Sequence, residues 1–245
     1  MKTSMLNRNK HRLVMTQILK DVYSDAGVAP LLGFKGGTAA YFLYGLPRFS
    51  VDLDFDLLDD SEASRTLVFE RVGAIVGKYG EVKDAQAKRW TIFFAVSYGA
   101  GEHQIKVEIN TRKTGATYGL RNYLGLPLLV TTKESMFAAK LVALMGRKTF
   151  VARDLYDVYF FLKERWDIDP AVLLSYGFSS VPEYLSECVA FVETVPDNEL
   201  LAGLGELVDE QEKSFIRQKL KGETSFLLQA YMKAYEETEP EQKAS

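Results

Sequence analysis

The chain has 245 residues, of which 47% are hydrophobic and 26% are charged, and its formal net charge is −3. This composition is that of a globular protein with one large domain or two modest ones, and no apolar stretch approaches the length that crosses a membrane. A single cysteine excludes an intrachain disulfide framework, and the basic N-terminal segment lacks the apolar run of a signal peptide, so a cytoplasmic protein is expected.

The first half of the chain alternates between helical and strand patterns. The predicted elements are a basic amphipathic helix at about 5–25, a strand at 31–37, a helix from 38, a strand at 50–58, a helix at 61–80, and strands at 89–98 and 103–110. From about residue 131 the pattern is helical throughout. The sequence therefore predicts an α/β domain over residues 1–130 and an all-helical domain over residues 131–245.

The strand predicted at 50–58 carries acidic residues on one face. Ser50, Asp52, Asp54 and Asp56 alternate with the apolar Val51, Leu53, Phe55 and Leu57. Carboxylates this close to each other repel unless a cation neutralises them, and Mg²⁺ bound by carboxylates and substrate phosphates would do so. A solvated edge strand with acidic decoration is the alternative.

Two further features sharpen the metal hypothesis. Gly36 and Gly37 lie between a strand and a helix that begins near Thr38, where backbone amides bind anions and glycine lets a phosphate approach closely. Glu108 lies on a later strand and would join Asp52 and Asp54 if the two strands are neighbours, which suits two-metal phosphoryl chemistry. The alternatives are a simple Gly-Gly turn and a surface Glu108 paired with Lys106.

In the predicted helix at 132–148, Lys140 lies among apolar residues. Its neighbours three and four positions away include Met136, Phe137 and Leu144, so the ammonium group must either reach solvent or meet a fixed negative group such as a triphosphate. On this basis we expect Lys140→Met to be at least as stable as the wild type. In the next helix, Asp157 could simply pair with Arg153, four residues away.

Taken in order, these motifs resemble those of the AbiEii/AbiGii-type nucleotidyltransferases, toxins of bacterial type IV toxin–antitoxin pairs in the DNA polymerase β-like superfamily. The first is Gly-Gly, a helix, and Arg48-x-Ser50-x-Asp52-x-Asp54; the second is "KVEIN" around Glu108; the third is "KLVALMGRKTFVARDLYDVYFF". The resemblance spans about residues 30–165. It implies the polymerase β-like fold, a mixed sheet flanked by helices, followed by an all-helical C-terminal region.

The resemblance also implies an enzyme with assigned residues. It would be a Mg²⁺-dependent nucleotidyltransferase with catalytic Asp52, Asp54, Glu108, Lys140 and Asp157, the first three as ligands of a two-metal site. The nucleotide would be bound by Gly36, Gly37, Thr38, Arg48, Ser50 and Lys140. An NTP would be the donor, a cognate antitoxin the partner and abortive infection the role, and some antitoxins of this class are expected to act by modifying the serine at position 50.

Local charge suggests the acceptor. Five Lys or Arg and no acid occur in the first twenty residues, and nine occur between His103 and Arg153 against two acids. Such segments favour a polyanionic acceptor, and the tRNA 3′ end is predicted. Tyr118 and Tyr123 are candidate stacking residues, with core packing as the equal alternative for both. Scattered surface charge, nucleotidylation of a protein or small molecule, and a non-catalytic nucleotide-binding module are the alternatives.

Overall fold

The computed structural model describes residues 6–177 and 180–242. The chain divides into two compact units. The first ends at Lys113 and also includes Thr117–Thr131; the second contains Thr114–Ala116 and resumes at Thr132. Along the described residues, no helix combines the length and apolar character needed to span a bilayer.

The first unit is built on a seven-stranded mixed sheet. Its strands are β1 (Leu32–Lys35), β2 (Leu53–Leu57), β3 (Glu81–Lys88), β4 (Thr91–Ser97), β5 (Ile105–Asn110), β6 (Tyr118–Tyr123) and β7 (Leu126–Thr131). Their order is β3-β4-β5-β2-β1-β7-β6, and the pairs β1–β7 and β2–β5 are parallel while the other pairs are antiparallel. Its helices are α1 (Arg8–Ser24), α2 (Gly36–Leu43) and α3 (Glu62–Gly77).

The second unit is helical. Its elements are α4 (Lys133–Gly146), α5 (Ala152–Lys163), α6 (Pro170–Ser175), α7 (Val181–Thr194), α8 (Glu210–Phe215), a π-helical turn (Ile216–Leu220) and α9 (Lys221–Gln242). Side-chain caps begin two of the long helices: Thr132 accepts from the Ser135 amide at α4, and Ser180 accepts from the Glu183 amide at α7. The mixed sheet with flanking helices and the helical second half confirm the predicted fold class.

Three strands have no clear signal in the sequence. β3 is an edge strand with the sequence "EVKDAQAK", whose residues are all at least partly exposed, so it lacks the apolar face that marks a strand. β6 and β7 form a hairpin whose two-residue turn places Leu124 at a φ of 52°, where glycine or asparagine is the usual signal, and Pro127 lies inside β7. The sequence pattern therefore predicts only four of the seven strands.

The segment before β2 also differs from the prediction. The predicted strand begins at Ser50, whereas β2 begins at Leu53, so Ser50 and Asp52 lie on the loop that enters the sheet. The helix predicted from Thr38 begins two residues earlier, at Gly36, directly after β1. Leu53 and Phe55 are fully buried, as the alternating pattern predicts.

Candidate active site

Two glycines shape the start of α2. Gly36 has a φ of +76°, a backbone conformation that other L-residues rarely adopt. A Cβ atom on Gly36 would lie 2.5 Å from Oδ2 of Asp54, so the Asp54 carboxylate lies against the first turn of the helix. Position 36 therefore requires glycine both for its backbone conformation and for its missing side chain.

Asp54 and Glu108 are partners in register on the neighbouring parallel strands β2 and β5. The pair that directly precedes them in the two strands, Leu53 and Val107, is fully buried. Because successive side chains of a strand point to opposite faces, both carboxylates project from the other face of the sheet. Asp54 is half-buried and Glu108 is exposed, and Asp52, directly before β2, is half-buried. The strand pairing on which the metal hypothesis depends is therefore present.

Asp56 has a different environment from Asp54, although both lie on β2. It is 3% exposed, and its carboxylate accepts hydrogen bonds from Lys35 Nζ at 2.5 Å, Asn110 Nδ2 at 2.7 Å and the Tyr118 hydroxyl at 2.9 Å. The ammonium group of Lys35 is the positive group that the acidic strand requires at this position. Asp56 is thus a neutralised structural carboxylate that ties β1, β2, β5 and β6 together.

The loop that carries Ser50 and Asp52 is fastened to α2 by Thr38. The Thr38 hydroxyl is buried; it donates to the backbone carbonyl of Asp52 and lies 2.8 Å from Oγ of Ser50. Since the Asp52 carbonyl can only accept, the Ser50 hydroxyl donates to Thr38. The side chain of Thr38 therefore positions the loop, which leaves only its backbone amide for a phosphate.

Gly37 is closely packed against Arg48. A Cβ atom at Gly37 would lie 2.5 Å from Nη2 of Arg48 and 3.2 Å from Oγ of Ser50. Arg48 is 3% exposed, and its Nη1 donates to the carbonyl of Phe49 at 3.1 Å. The structure thus places a buried guanidinium behind the start of α2, a helix end that already favours negative charge.

The donor chemistry of this region fits a divalent ion. Within residues 6–177 and 180–242, no group of three or more His, Cys, Asp and Glu side chains is arranged to hold a metal ion. Mg²⁺, however, is commonly bound through one or two carboxylates together with substrate phosphates, and not in an all-protein cage. The in-register pair Asp54 and Glu108 supplies that donor set, with Asp52 at the entry to the same strand.

His11 supports the same loop from α1. Its Nε2 lies 2.8 Å from the carbonyl of Val51, so Nε2 carries the proton, and Nδ1 accepts from the Tyr98 hydroxyl at 2.7 Å. His11 is fully buried, and this burial lowers its pKa below the ordinary 6.5. A neutral imidazole therefore fixes the backbone between Ser50 and Asp52.

In the second unit, the charged residues of α4 and α5 form a compact cluster. Lys140 Nζ lies 2.9 Å from Oδ1 of Asp154 and 3.1 Å from Oδ2 of Asp157, and Arg147 Nε lies 2.7 Å from Oδ2 of Asp154. The side chains of Asp154 and Asp157 are 4% and 0% exposed. Lys140 thus meets its fixed negative groups within its own unit.

This cluster overturns the stability expected for Lys140→Met. The expectation considered only the apolar neighbours along α4, whereas the ammonium group contacts two buried carboxylates of α5 and neutralises them together with Arg147. Removing one partner of a buried ion pair leaves an uncompensated charge and destabilises the fold. The spacing of Asp154 and Asp157 signalled a shared helix face, but the sequence did not show that this face meets Lys140.

The structure separates the predicted site residues into two groups. Gly36, Gly37, Thr38, Arg48, Ser50, Asp52, Asp54 and Glu108 belong to the first unit, and Lys140 and Asp157 belong to the second. Sequence reasoning missed Lys35, Asn110 and His11. Lys35 directly precedes the two glycines, and Asn110 shares the strand face of Glu108, so position and alternation could have identified these two. His11 lies four residues before Met15 and seven before Ile18 on the buried stripe of α1, so helical periodicity could have identified its burial.

The two candidate stacking residues both have partners inside the first unit. The Tyr118 ring packs over Gly33, where a Cβ atom would lie 2.3 Å from the ring, and its hydroxyl donates to Asp56. The Tyr123 ring stacks on Phe42 with centroids 4.7 Å apart. Both tyrosines therefore stabilise the sheet and α2.

Comparison with solved structures finds the same fold in bacterial proteins. JHP933 of Helicobacter pylori superposes with a TM-score of 0.58 at 22% identity, covering 97% of each chain. MenT4, a nucleotidyltransferase toxin of Mycobacterium tuberculosis, superposes with a TM-score of 0.56 at 21% identity, covering 93% of each chain. A search of curated proteins finds no match.

The family assignment rests on most of the chain. The model of the family described as "Nucleotidyl transferase AbiEii toxin, Type IV TA system" matches residues 17–233, which include both units and every predicted site residue. The resemblance inferred from the ordered motifs is thereby confirmed, and with it the enzyme class. The family implies an NTP substrate and an antitoxin partner. The chain belongs to the AbiEii family of type IV toxin–antitoxin systems and is a nucleotidyltransferase.

Proposed function

We propose that this toxin transfers a nucleoside monophosphate from an NTP to the 3′-terminal hydroxyl of tRNA, with Mg²⁺ as cofactor, in the cytoplasm. Blocking tRNA charging in this way would arrest growth, which is the outcome that abortive infection requires. The antitoxin would prevent this arrest by neutralising the toxin. The observation that carries the proposal is the in-register pair Asp54 and Glu108, with the Asp54 carboxylate against the glycine start of α2.

In this proposal each residue of the first unit has a distinct role. Asp52 and Asp54 hold the divalent ion, and Glu108, as the exposed carboxylate, also accepts the proton of the acceptor hydroxyl. The backbone amides of Gly37 and Thr38 at the start of α2 bind the triphosphate, helped by the buried charge of Arg48. When bound, the divalent ion neutralises the charge that develops on the phosphoryl oxygens.

The reaction is an in-line displacement at the α-phosphorus. The acceptor oxygen forms the new bond to phosphorus, the bond to the bridging oxygen breaks, and pyrophosphate leaves. Glu108 takes the proton from the attacking hydroxyl, while Thr38 and His11 keep the Ser50–Asp52 loop in place through its carbonyls. The contribution of the protein is positioning and neutralisation of charge.

The family resemblance assigns Lys140 to the triphosphate and Asp157 to the active site. The ion pairs of Lys140 with Asp154 and Asp157 support a fixed, protonated ammonium group, and 14% of its side chain is exposed. In this role Asp157 orients Lys140. The same cluster also accounts for Lys140 without a nucleotide, and the KM of Lys140→Arg for NTP distinguishes the two roles.

The test is to incubate the protein with each α-labelled NTP in turn, Mg²⁺, total cellular RNA and cell lysate, and to locate the label. We expect label in the tRNA band, abolished by periodate oxidation of the acceptor ribose and by Asp54→Asn. Asp84→Asn is the matched control, because Asp84 is a half-buried carboxylate on β3 that accepts from Gln86. Label in protein or in a small molecule would replace the tRNA acceptor, and no label anywhere would favour a binding module.

A further inference from the structure

The tip of the β3–β4 hairpin exposes an aromatic ring between two guanidinium groups. Trp90 is 40% exposed, an unusual exposure for a large indole. Cζ of Arg89 lies 4.6 Å and Cζ of Arg112 lies 5.6 Å from the centroid of the ring. Such distances are those of cation–π contacts.

The hairpin tip is fixed by hydrogen bonds that do not use this ring. Nη2 of Arg65 donates to the carbonyl of Arg89 and to Oγ1 of Thr111, both at 2.8 Å, and Nε of Arg65 pairs with Asp60 at 2.6 Å. The Thr111 amide donates to the carbonyl of Trp90 at 3.1 Å. The backbone at Trp90 is therefore held to the end of β5 without help from the indole, and fixing the hairpin does not explain an exposed tryptophan.

The surface around the ring is positive. Lys88, Arg89, Arg112 and Lys113 are all exposed, and in the described part of the chain none of them forms an ion pair with a carboxylate. The acidic Asp60 pairs with Arg65, whose guanidinium also holds the hairpin tip. We call Lys88, Arg89, Trp90, Arg112 and Lys113 the Trp90 patch.

The sheet register relates the patch to the candidate carboxylates. Phe93 of β4 is in register with Glu108, which is in register with Asp54. Trp90 precedes Phe93 by three residues and lies two strands from β2, which at about 3.3 Å per residue and about 4.8 Å per strand gives a separation of about 14 Å from Asp54. This separation is measured between backbone positions in the plane of the sheet, and a single strand of a few nucleotides is long enough to span it.

We propose that the Trp90 patch binds the single-stranded 3′ arm of the acceptor RNA, with one base stacked on Trp90 and the adjoining phosphates on Arg89 and Arg112. That the ligand is RNA rests on the proposed function. That the ligand is a single-stranded nucleic acid rests on the patch alone, because an aromatic face beside cations is the usual binding platform for single strands. A protein partner would need further exposed apolar side chains, whereas the rest of the Trp90 patch is Lys and Arg.

The binding experiment needs neither NTP nor metal. The chain has two tryptophans, and the other, Trp166, is buried and stacked on Phe161, so Trp166→Phe leaves Trp90 as the sole source of tryptophan fluorescence. Titration with a short single-stranded RNA should quench this fluorescence saturably. In the otherwise wild-type chain, Trp90→Ala should weaken binding of end-labelled RNA, measured by anisotropy, about tenfold, and Trp90→Phe should largely restore it.

The contribution of the arginine charges is tested by the salt dependence of RNA binding. Arg89→Gln and Arg112→Gln should each weaken RNA binding and reduce the slope of log K against log salt by about 0.7. Lys83→Gln is the control, since Lys83 is on the same edge strand but pairs with Glu81 at 2.5 Å. Single-stranded DNA of the same sequence should bind no more tightly than the RNA.

Each outcome decides between the two hypotheses. RNA binding that neither quenches Trp90 nor depends on it overturns the patch, as does a clear preference for DNA or an absence of binding; label in tRNA would then still support the proposed function. Quenching that depends on Trp90 and both arginines supports the patch, even if no nucleotide is transferred to RNA, in which case only the proposed function fails.

Discussion

The two units hold their charged side chains in opposite ways. In the α/β unit, Glu108 is exposed on an open sheet face and makes no ion pair within the described part of the chain, and Asp54 is half-buried at the start of a helix. In the helical unit, Asp154 and Asp157 are almost fully buried and paired with Lys140. The exposed Glu108 leaves negative charge for a ligand cation, whereas the helical unit neutralises its two carboxylates internally.

Asp56 shows that the environment of a carboxylate, and not its place in the aspartate motif, decides whether it is paired internally. It occupies the same strand as Asp54, two residues later, yet Lys35, Asn110 and Tyr118 satisfy its carboxylate. A strand of alternating aspartates therefore contains one structural and one candidate catalytic residue. What separates them is their surroundings: Asp56 is 3% exposed among three donors, whereas Asp54 is half-buried against the first turn of α2.

The largest effect is expected on breaking the internal cluster with Lys140→Met. The substitution removes the ammonium group from beside the buried Asp157 and leaves Asp154 with Arg147, so the free energy of unfolding should fall by about 3–5 kcal/mol. Urea unfolding at pH 7 measures it. The control is Lys148→Met, an exposed residue just after α4, which should change the free energy by less than about 0.5 kcal/mol.

Two further variants separate stability from nucleotide binding. Adding Asp157→Asn to Lys140→Met should restore part of the lost stability, because one buried charge is then removed. Lys140→Arg keeps a cation for both carboxylates, so a folded Lys140→Arg protein with a raised KM for NTP would support triphosphate contact. Unchanged stability of Lys140→Met would contradict the cluster as the main role of Lys140.

On the open face, Asp54→Asn should abolish the chemistry while leaving the fold intact. The substitution keeps the shape against Gly36 but removes the charge that binds the ion, so kcat/KM should fall by about 10²–10³ or more. Without Mg²⁺ the variant should be slightly more stable, since repulsion among Asp52, Asp54 and Glu108 falls. Robust transfer by Asp54→Asn, measured as labelled product, would remove this residue from the site.

Substitutions at Ser50 test how strongly activity depends on the position of the loop that precedes β2. It is 6% exposed and its hydroxyl lies 2.8 Å from that of Thr38, so Ser50→Ala should lose about 1 kcal/mol of stability and retain part of the activity. Ser50→Glu buries a charge beside Asp52 and should be inactive. Control of the toxin by modification at this serine would require the loop to open first. An active Ser50→Glu enzyme would exclude that route.

The sequence predicts the parts of this molecule that depend on local pattern. The alternation of Leu53 and Phe55 with Asp54, the two glycines at the start of α2 and the long helices are all set by near neighbours in the chain. The sequence could not show that Asp56 meets Lys35 and Asn110, or that Lys140 meets Asp154, because each contact depends on how two separate elements pack together. The polar edge strand β3 was missed because an edge exposed to solvent has no buried face to reveal it.

The smallest predicted effect concerns His11, a buried titratable group beside the open face. Burial lowers its pKa; the Val51 carbonyl, Asp52 and Glu102 act in the opposite direction, and His103 adds to the lowering. The native state therefore resists protonation that the unfolded chain accepts below about pH 6.5. The stability due to a neutral His11 is complete above that pH and is lost as the pH falls.

Urea unfolding between pH 7.5 and 5.5 should show this loss in the wild type, and His11→Gln should reduce it. A glutamine amide can still donate to the Val51 carbonyl but does not titrate. His103→Gln, which replaces the only other histidine, should keep most of the wild-type pH dependence. Burial raises the pKa of Tyr98 to about 12, so its hydroxyl remains a donor and a protonated imidazole would oppose it. Equal pH dependence in the wild type and His11→Gln would mean that His11 is not held neutral beside the loop.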